Sequence, residues 1–235
     1  MKGIIVGTST ERIIPFPGGI QTEETKFGPV DYLFDGNVYV VLRHRKGHSV
    51  APGRINYLAN VEFLRSKGVD EVISTYAVGS ITSKLPPLMI GLVSDFIDFT
   101  GGRQSTFFDG VIGPVKHTEM VTIFNNSLKD RILETARDEK IFLVPELVYV
   151  TTNGPRLESP AEIRAYGALG ADIVGMTMNP EVNLLHEVGI KVQGLGFSIN
   201  WAAGIDRGGF SFVSDEEEEQ LSRSVFELAY KSLTR

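Results

Sequence analysis

The chain has 235 residues, room for one large domain or two small ones, and its 42% apolar and 22% charged residues are ordinary for a soluble globular protein. A net charge of −6 argues against a general nucleic-acid binder, which needs a broad basic surface, and the lack of cysteine excludes disulfides and thiolate metal sites. The opening MKGIIVG is too short for a signal peptide, and no apolar run reaches the 18 residues of a membrane span, so the expectation is a cytoplasmic protein without a membrane partner.

Residues 3–6 read as a first strand, and 38–42 (VYVVL) as a second that ends in Arg43-His44. Apolar residues at 55, 58, 61, 63 and 64 give 54–67 a helical stripe. Residues 71–77 (EVISTYA) form a buried strand running into Gly79, 88–99 a long apolar strand, 126–137 a helix and 146–152 a strand. Ser159-Pro160-Ala161-Glu162 is a capping box with proline at the first helical position, and its helix runs to about Leu169 and stops at Gly170. Residues 171–176 (ADIVGM) are a strand, Asn179-Pro180-Glu181 starts a helix that stops at Gly189, and 190–199 is a further strand. Ser214 with Glu217 caps a C-terminal helix, and the acidic run 215–219 lies where the helix dipole favours negative charge. No repeat, low-complexity segment or linker interrupts the pattern, so one domain over 1–235 is expected.

Strands alternating with helices indicate an α/β fold with a mixed, mostly parallel sheet, whose sites form at the carboxyl ends of strands. Four such ends carry chemistry: Thr8-Ser9-Thr10, Arg43-His44, Ala77-Val78-Gly79-Ser80 and Met176-Thr177. Hydroxyls, a guanidinium, an imidazole, backbone N–H groups and a helix N-terminus together suit an oxyanion such as phosphate. Three of them also have a plainer reading: Thr8 as a turn residue, residues 43–48 as an exposed basic loop, Thr177 as a cap hydroxyl. There is no P-loop or dinucleotide fingerprint, and His44, His48, His117 and His186 lack the helical spacing of metal ligands, so no metal is expected.

The stretches GPRLESPAEIR, GADIVGMTMNPE, SINWAAG, RHRKGHSVAPGRINYLAN and YAVGS, in that constellation, resemble the trimeric purine nucleoside phosphorylase and methylthioadenosine phosphorylase family over nearly the whole length. The resemblance implies a three-layer α/β/α fold around a central mixed sheet. It implies attack of phosphate on the anomeric carbon of a purine nucleoside, with phosphate as co-substrate and no cofactor. Thr8, Arg43, His44, the backbone N–H of Ala77 and Thr177 are then the phosphate residues, with Arg43 expected to make a bidentate contact. Met176 meets the ribose; Leu157, Glu158 and Asn200 meet the purine. The catalytic roles fall to Asn200, Glu158 and His44. Leu157 stands where the family usually has Phe, Val6 and Ser9 where it usually has glycine, and Tyr76 where it usually has Asn or Thr.

A 6-oxopurine carries a protonated N1, which Glu158 can accept, and Asn200 can donate to N7, where charge develops as the base departs. An aspartate at position 200 would suit a 6-amino group instead. The expected substrates are inosine, guanosine or S-methyl-5′-thioinosine. Aligning His117 with the family's histidine places Met120 of a neighbouring subunit at the sugar 5′ position, where an apolar, adaptable side chain favours a methylthio group. A homotrimer or dimer of trimers is implied. Two alternatives stay open: a methylthioadenosine phosphorylase, and a purine-nucleoside-binding protein without catalysis.

Overall fold

A computed structural model describes residues 1–7, 18–206 and 208–235. Its nine strands are β1 (Lys2–Val6), β2 (Gln21–Thr25), β3 (Gly28–Phe34), β4 (Val38–Leu42), β5 (Glu71–Ser80), β6 (Ile90–Asp98), β7 (Leu143–Thr151), β8 (Ile173–Gly175) and β9 (Lys191–Trp201). The α-helices among the described residues are α1 (Tyr57–Ser66), α2 (Ser127–Asp138), α3 (Pro160–Ala168), α4 (Met178–Glu187) and α5 (Asp215–Thr234). One sheet runs β2-β3-β4-β1-β5-β8-β7-β6-β9, and β9 also pairs with β5. Strands β5, β9, β6, β7 and β8 therefore close on themselves, while β1 to β4 extend as an open wing. The mixed α/β sheet expected from the sequence is present, and the closure is a feature the strand count did not reveal.

Helices α1 and α4 pack together over one large apolar cluster, and α2 and α5 over another on a different side of the sheet. The helix starts follow the local chemistry. Ser159 and Ser214 each accept from the N–H three residues on while Glu162 and Glu217 reach back, so both expected capping boxes form. Helix α1 is shorter than the apolar stripe suggested, because Pro52–Arg54 makes a separate 3₁₀ turn and Asn56 caps the helix by accepting from Ala59.

The hairpin β2–β3 was not anticipated. QTEET is polar and largely exposed, so it shows no buried face, yet it pairs antiparallel with β3 and ends the sheet. A charged edge strand of this kind blocks further pairing and gives little periodic signal. Strand β5 runs three residues past the expected Ala77, to Ser80, and this extension carries part of the site.

Candidate active site

Strand β1 pairs with β5 only as far as Ile5 opposite Ser74, and β8 joins the same edge of β5 only at Gly79. Residues 75–78 of β5 thus border a split in the sheet. The Thr75 carbonyl points into the split, where it accepts from Arg43 Nη1 at 3.0 Å. In a strand the N–H and C=O of one residue share a side, and that side returns every second residue. The N–H of Ala77 therefore faces the same split. A cavity of about 620 Å³ opens there, within the range of small-molecule sites. It gathers Arg43, His44, Ala77, Leu157, Glu158, Met176, Thr177 and Asn200 in its lining. Thr8, with Ser9 and Thr10, lies outside the described residues. Met120 does not line this chain's cavity; it is partly buried against the apolar cluster beneath α1 and α4.

Arg43 at the end of β4 is fully buried. Its Nε and Nη2 donate to the two carboxylate oxygens of Glu181 on α4, at 2.7 and 2.9 Å. The Tyr76 hydroxyl donates to Glu181 Oε1 at 2.8 Å, and its ring lies 4.6 Å from the guanidinium carbon. Burial opposes the charge on Arg43, but the Glu181 carboxylate outweighs it and holds the guanidinium protonated. This corrects one expectation. The fork that was to grip phosphate is committed to Glu181, so a bidentate contact is not open to Arg43. It offers its positive charge and what remains of Nη1, beside Gly7.

His44 is also buried, and its Nδ1 sits 2.8 Å from the Val50 carbonyl. Burial, aided by the nearby Arg43 charge and His48, pushes its pKa down to about 4. The ring is neutral near pH 7, and a carbonyl only accepts, so the proton is on Nδ1 and Nε2 is an acceptor. Thr177 stands at the N-cap of α4 but makes no side-chain cap bond, which leaves its hydroxyl available to a ligand. The plain capping reading of that threonine therefore does not hold.

Glu158 Oε1 accepts from the Thr152 hydroxyl at 2.6 Å. Leu157 beside it is exposed. Met176 lies over Gly154, where an added Cβ would come within 2.3 Å of its sulfur. The turn GPRLE needs glycine at this spot, both for that approach and for its positive φ of 60°. Asn200 reaches the cavity through a bulge. The β5–β9 register steps from Val78 opposite Ser198 to Gly79 opposite Asn200, so Ile199 is the extra residue and the alternation resets. Phe197, Ile199 and Asn200 all line the cavity as a result. Asn200 Nδ2 donates one hydrogen to the Trp201 carbonyl at 2.8 Å, which fixes the amide's orientation and leaves its second N–H.

Sequence reasoning missed Glu181, noted only as a helix start, and the aromatic pair Phe210 and Phe212, whose rings meet edge-on at 5.0 Å in the cavity wall. An acid following Asn-Pro at a helix start was the available signal for Glu181; nothing in the irregular chain around 210 marked the pair. Among the described residues no cluster of three or more His, Asp or Glu has metal-site geometry. No described helix is long and apolar enough to cross a membrane.

The chain is similar to known proteins in sequence and in fold. The model of the Phosphorylase superfamily matches residues 3–233. The chain is 40% identical over 212 residues to a probable S-methyl-5′-thioinosine phosphorylase of Methanopyrus kandleri, covering 87% of this chain and 80% of that protein. It is 37% identical over 213 residues to the 6-oxopurine nucleoside phosphorylase of Pyrococcus furiosus, covering 86% and 80%. Among solved structures, methylthioadenosine phosphorylase from Schistosoma mansoni in complex with adenine superposes with a TM-score of 0.86 at 27% identity, over 100% of this chain and 91% of that one.

Proposed function

The chain belongs to the phosphorylase superfamily, and on that premise we propose that it is a purine nucleoside phosphorylase that releases the base from 6-oxopurine nucleosides. The observation that carries this reading is the lining of one cavity. A guanidinium, a neutral imidazole, a hydroxyl and a backbone N–H (Arg43, His44, Thr177, Ala77) share it with a carboxylate and an amide (Glu158, Asn200) and with Met176. We read the first group as the phosphate end and the second as the purine end. Phosphate bound in the sheet split attacks the anomeric carbon as the glycosidic C–N bond breaks, and the bond's electrons leave on the purine. The products are free base and ribose 1-phosphate, or its 5-methylthio analogue.

Each group has one task. Arg43 supplies fixed positive charge, and the N–H of Ala77 and hydroxyl of Thr177 donate to phosphate oxygens. His44 Nε2 accepts from the remaining P–OH, so the site suits monohydrogen phosphate. Holding the nucleophile in line is worth several kcal/mol, up to about 7–11 in ideal cases. The second N–H of Asn200 meets N7 as the departing base gains negative charge, a contribution of roughly 3–4 kcal/mol for a preorganised donor. Glu158 accepts from N1–H and so selects the 6-oxo edge. Thr8 completes the phosphate set on the strength of the family resemblance alone. Inorganic phosphate is the co-substrate and no other cofactor is invoked.

The relatives' names divide between 6-oxopurine nucleosides and S-methyl-5′-thioinosine. We favour both as substrates of this chain, with Met120 of a neighbouring subunit in a homotrimer, or dimer of trimers, closing the 5′ pocket. A panel of inosine, guanosine, adenosine, methylthioadenosine and methylthioinosine, with and without phosphate, tests the whole reading. Base release should require phosphate and should be fastest with a 6-oxopurine. Equal release without phosphate means a hydrolase, no release means a binding protein, and preference for methylthioadenosine means the base assignment is wrong. Within the panel, methylthioinosine should at least match inosine in kcat/KM, and Met120→Ser should cost the methylthio substrate about 10-fold or more.

A further inference from the structure

We propose that Thr152 is a specificity-determining positioning residue, whose hydroxyl locks the Glu158 carboxylate into the rotation that accepts a protonated purine N1. The proposal rests on the reading that Glu158 meets the base.

Thr152 is buried and held on every side. Its N–H donates to the Gly175 carbonyl at 2.9 Å, next to the ribose contact Met176. Its carbonyl accepts from Arg103 Nη2 at 3.3 Å. The same guanidinium donates to the Asn153 carbonyl at 3.1 Å and, through Nη1, to the Asn179 carbonyl at 2.6 Å. Arg103 thus ties the chain before the base loop to the chain after Thr177. With its backbone fixed at both ends, Thr152 has one free group, the hydroxyl, and that donates to Glu158 Oε1 at 2.6 Å.

An ionised carboxylate has no proton to give, so the hydroxyl must be the donor. The last torsion of a glutamate is otherwise broad and nearly two-fold. Glu158 is half-buried on a turn and needs a partner to stay in one rotation. With Oε1 held, Oε2 is the oxygen left for an incoming N–H. A 6-aminopurine presents an unprotonated N1, so two acceptors would face each other. A free carboxylate can swing away from that clash; a held one cannot. The Thr152 hydroxyl therefore sharpens acceptance of the 6-oxo edge and rejection of the 6-amino edge together.

The test uses the full-length chain with three nucleosides: inosine, adenosine, and a purine nucleoside unsubstituted at C6. Thr152→Val keeps the shape and removes the donor. It should lower kcat/KM for inosine about tenfold, the scale of one hydrogen bond to a charged group. It should leave the phosphate KM within twofold, move the unsubstituted nucleoside, whose N1 is also unprotonated, in the same direction as adenosine, and narrow the inosine-to-adenosine ratio. Thr152→Ser should restore the wild-type ratio. Added to Glu158→Ala, Thr152→Val should have no further effect on the ratio. Equal losses on all three nucleosides, or a raised phosphate KM, would make Thr152 merely structural and overturn the proposal. If Glu158→Ala changes the ratio and Thr152→Val does not, this proposal alone fails. If Glu158→Ala leaves the ratio untouched, the Glu158 reading fails and takes the proposal with it.

Discussion

Arg43, Tyr76 and Glu181 are 2%, 1% and 0% exposed and bind one another, whereas Leu157, Phe210 and Phe212 in the cavity wall are 45%, 47% and 52% exposed. The first group sits on β4, β5 and α4, elements fixed by the sheet and its packed helices. The second sits on turns after β7 and β9. A preorganised charge must be held before the ligand arrives, because reorganising it during the reaction costs part of the benefit. An apolar wall for a base needs no such preparation; it gains its burial when a ligand covers it. On the proposed function, the open half is where substrate preference can drift and the closed half is where the reaction is fixed.

The strongest way to break this contrast is to remove Glu181. Glu181→Ala leaves a buried guanidinium without its counter-charge and the Tyr76 hydroxyl without its acceptor. Losing one partner of a buried pair costs about 3–5 kcal/mol. Chemical denaturation should show a loss of that size, with phosphorolysis abolished. The double variant Arg43→Met with Glu181→Met should regain part of the stability, because an apolar pair carries no buried charge, while the Tyr76 hydroxyl still lacks its acceptor; it should stay inactive. A loss below about 1 kcal/mol for Glu181→Ala would place the pair among surface salt bridges and end the contrast.

A second test uses pH. The folded His44 titrates near 4, against an ordinary value of 6.5. The unfolded chain therefore takes up this proton first as the pH falls. The stability linked to His44 is complete above about pH 6.5 and is lost as the pH drops toward 4, by roughly 3 kcal/mol in all. His44→Gln should flatten the stability curve across that window relative to wild type. The same curve for both proteins would show that His44 titrates alike in the folded and unfolded chain.

The two halves also differed in how far they were legible. Strand β4, Val38–Leu42, falls where VYVVL predicted it, and both capping boxes form, because these signals are local. Arg43, His44, Ala77 and Thr177 were found by looking at strand ends, a rule that holds wherever parallel strands stop at a common edge. What they bind to was hidden. Glu181 lies 138 residues from Arg43, and only the fold, which brings the start of α4 to Arg43 and Tyr76, joins them. Tyr76, met as a departure from the family's usual residue, proves to be the third member of that group. The turn of Asn200 toward the cavity depends on a bulge at Ile199, and a bulge is a pairing property that one strand alone does not display. The edge strand β2 escaped notice since its polar residues have no face to bury.

The gentlest probe belongs to the open half. Leu157 lines the cavity and keeps nearly half its surface exposed, so a larger side chain there meets solvent rather than packed neighbours. Leu157→Phe should leave folding stability within about 0.5 kcal/mol, as surface changes usually do. A ring stacked on the purine adds roughly 0.5–1.5 kcal/mol beyond area burial. The expected result is a KM for inosine lower by about two- to tenfold, with kcat and the phosphate KM unchanged, since the ring contacts substrate and transition state alike. Initial rates with each substrate varied in turn measure all three quantities. A shift in the phosphate KM would mean that the two ends communicate through the turn at 154–158, and that the nucleoside half is not as independent of the buried half as their separate construction implies.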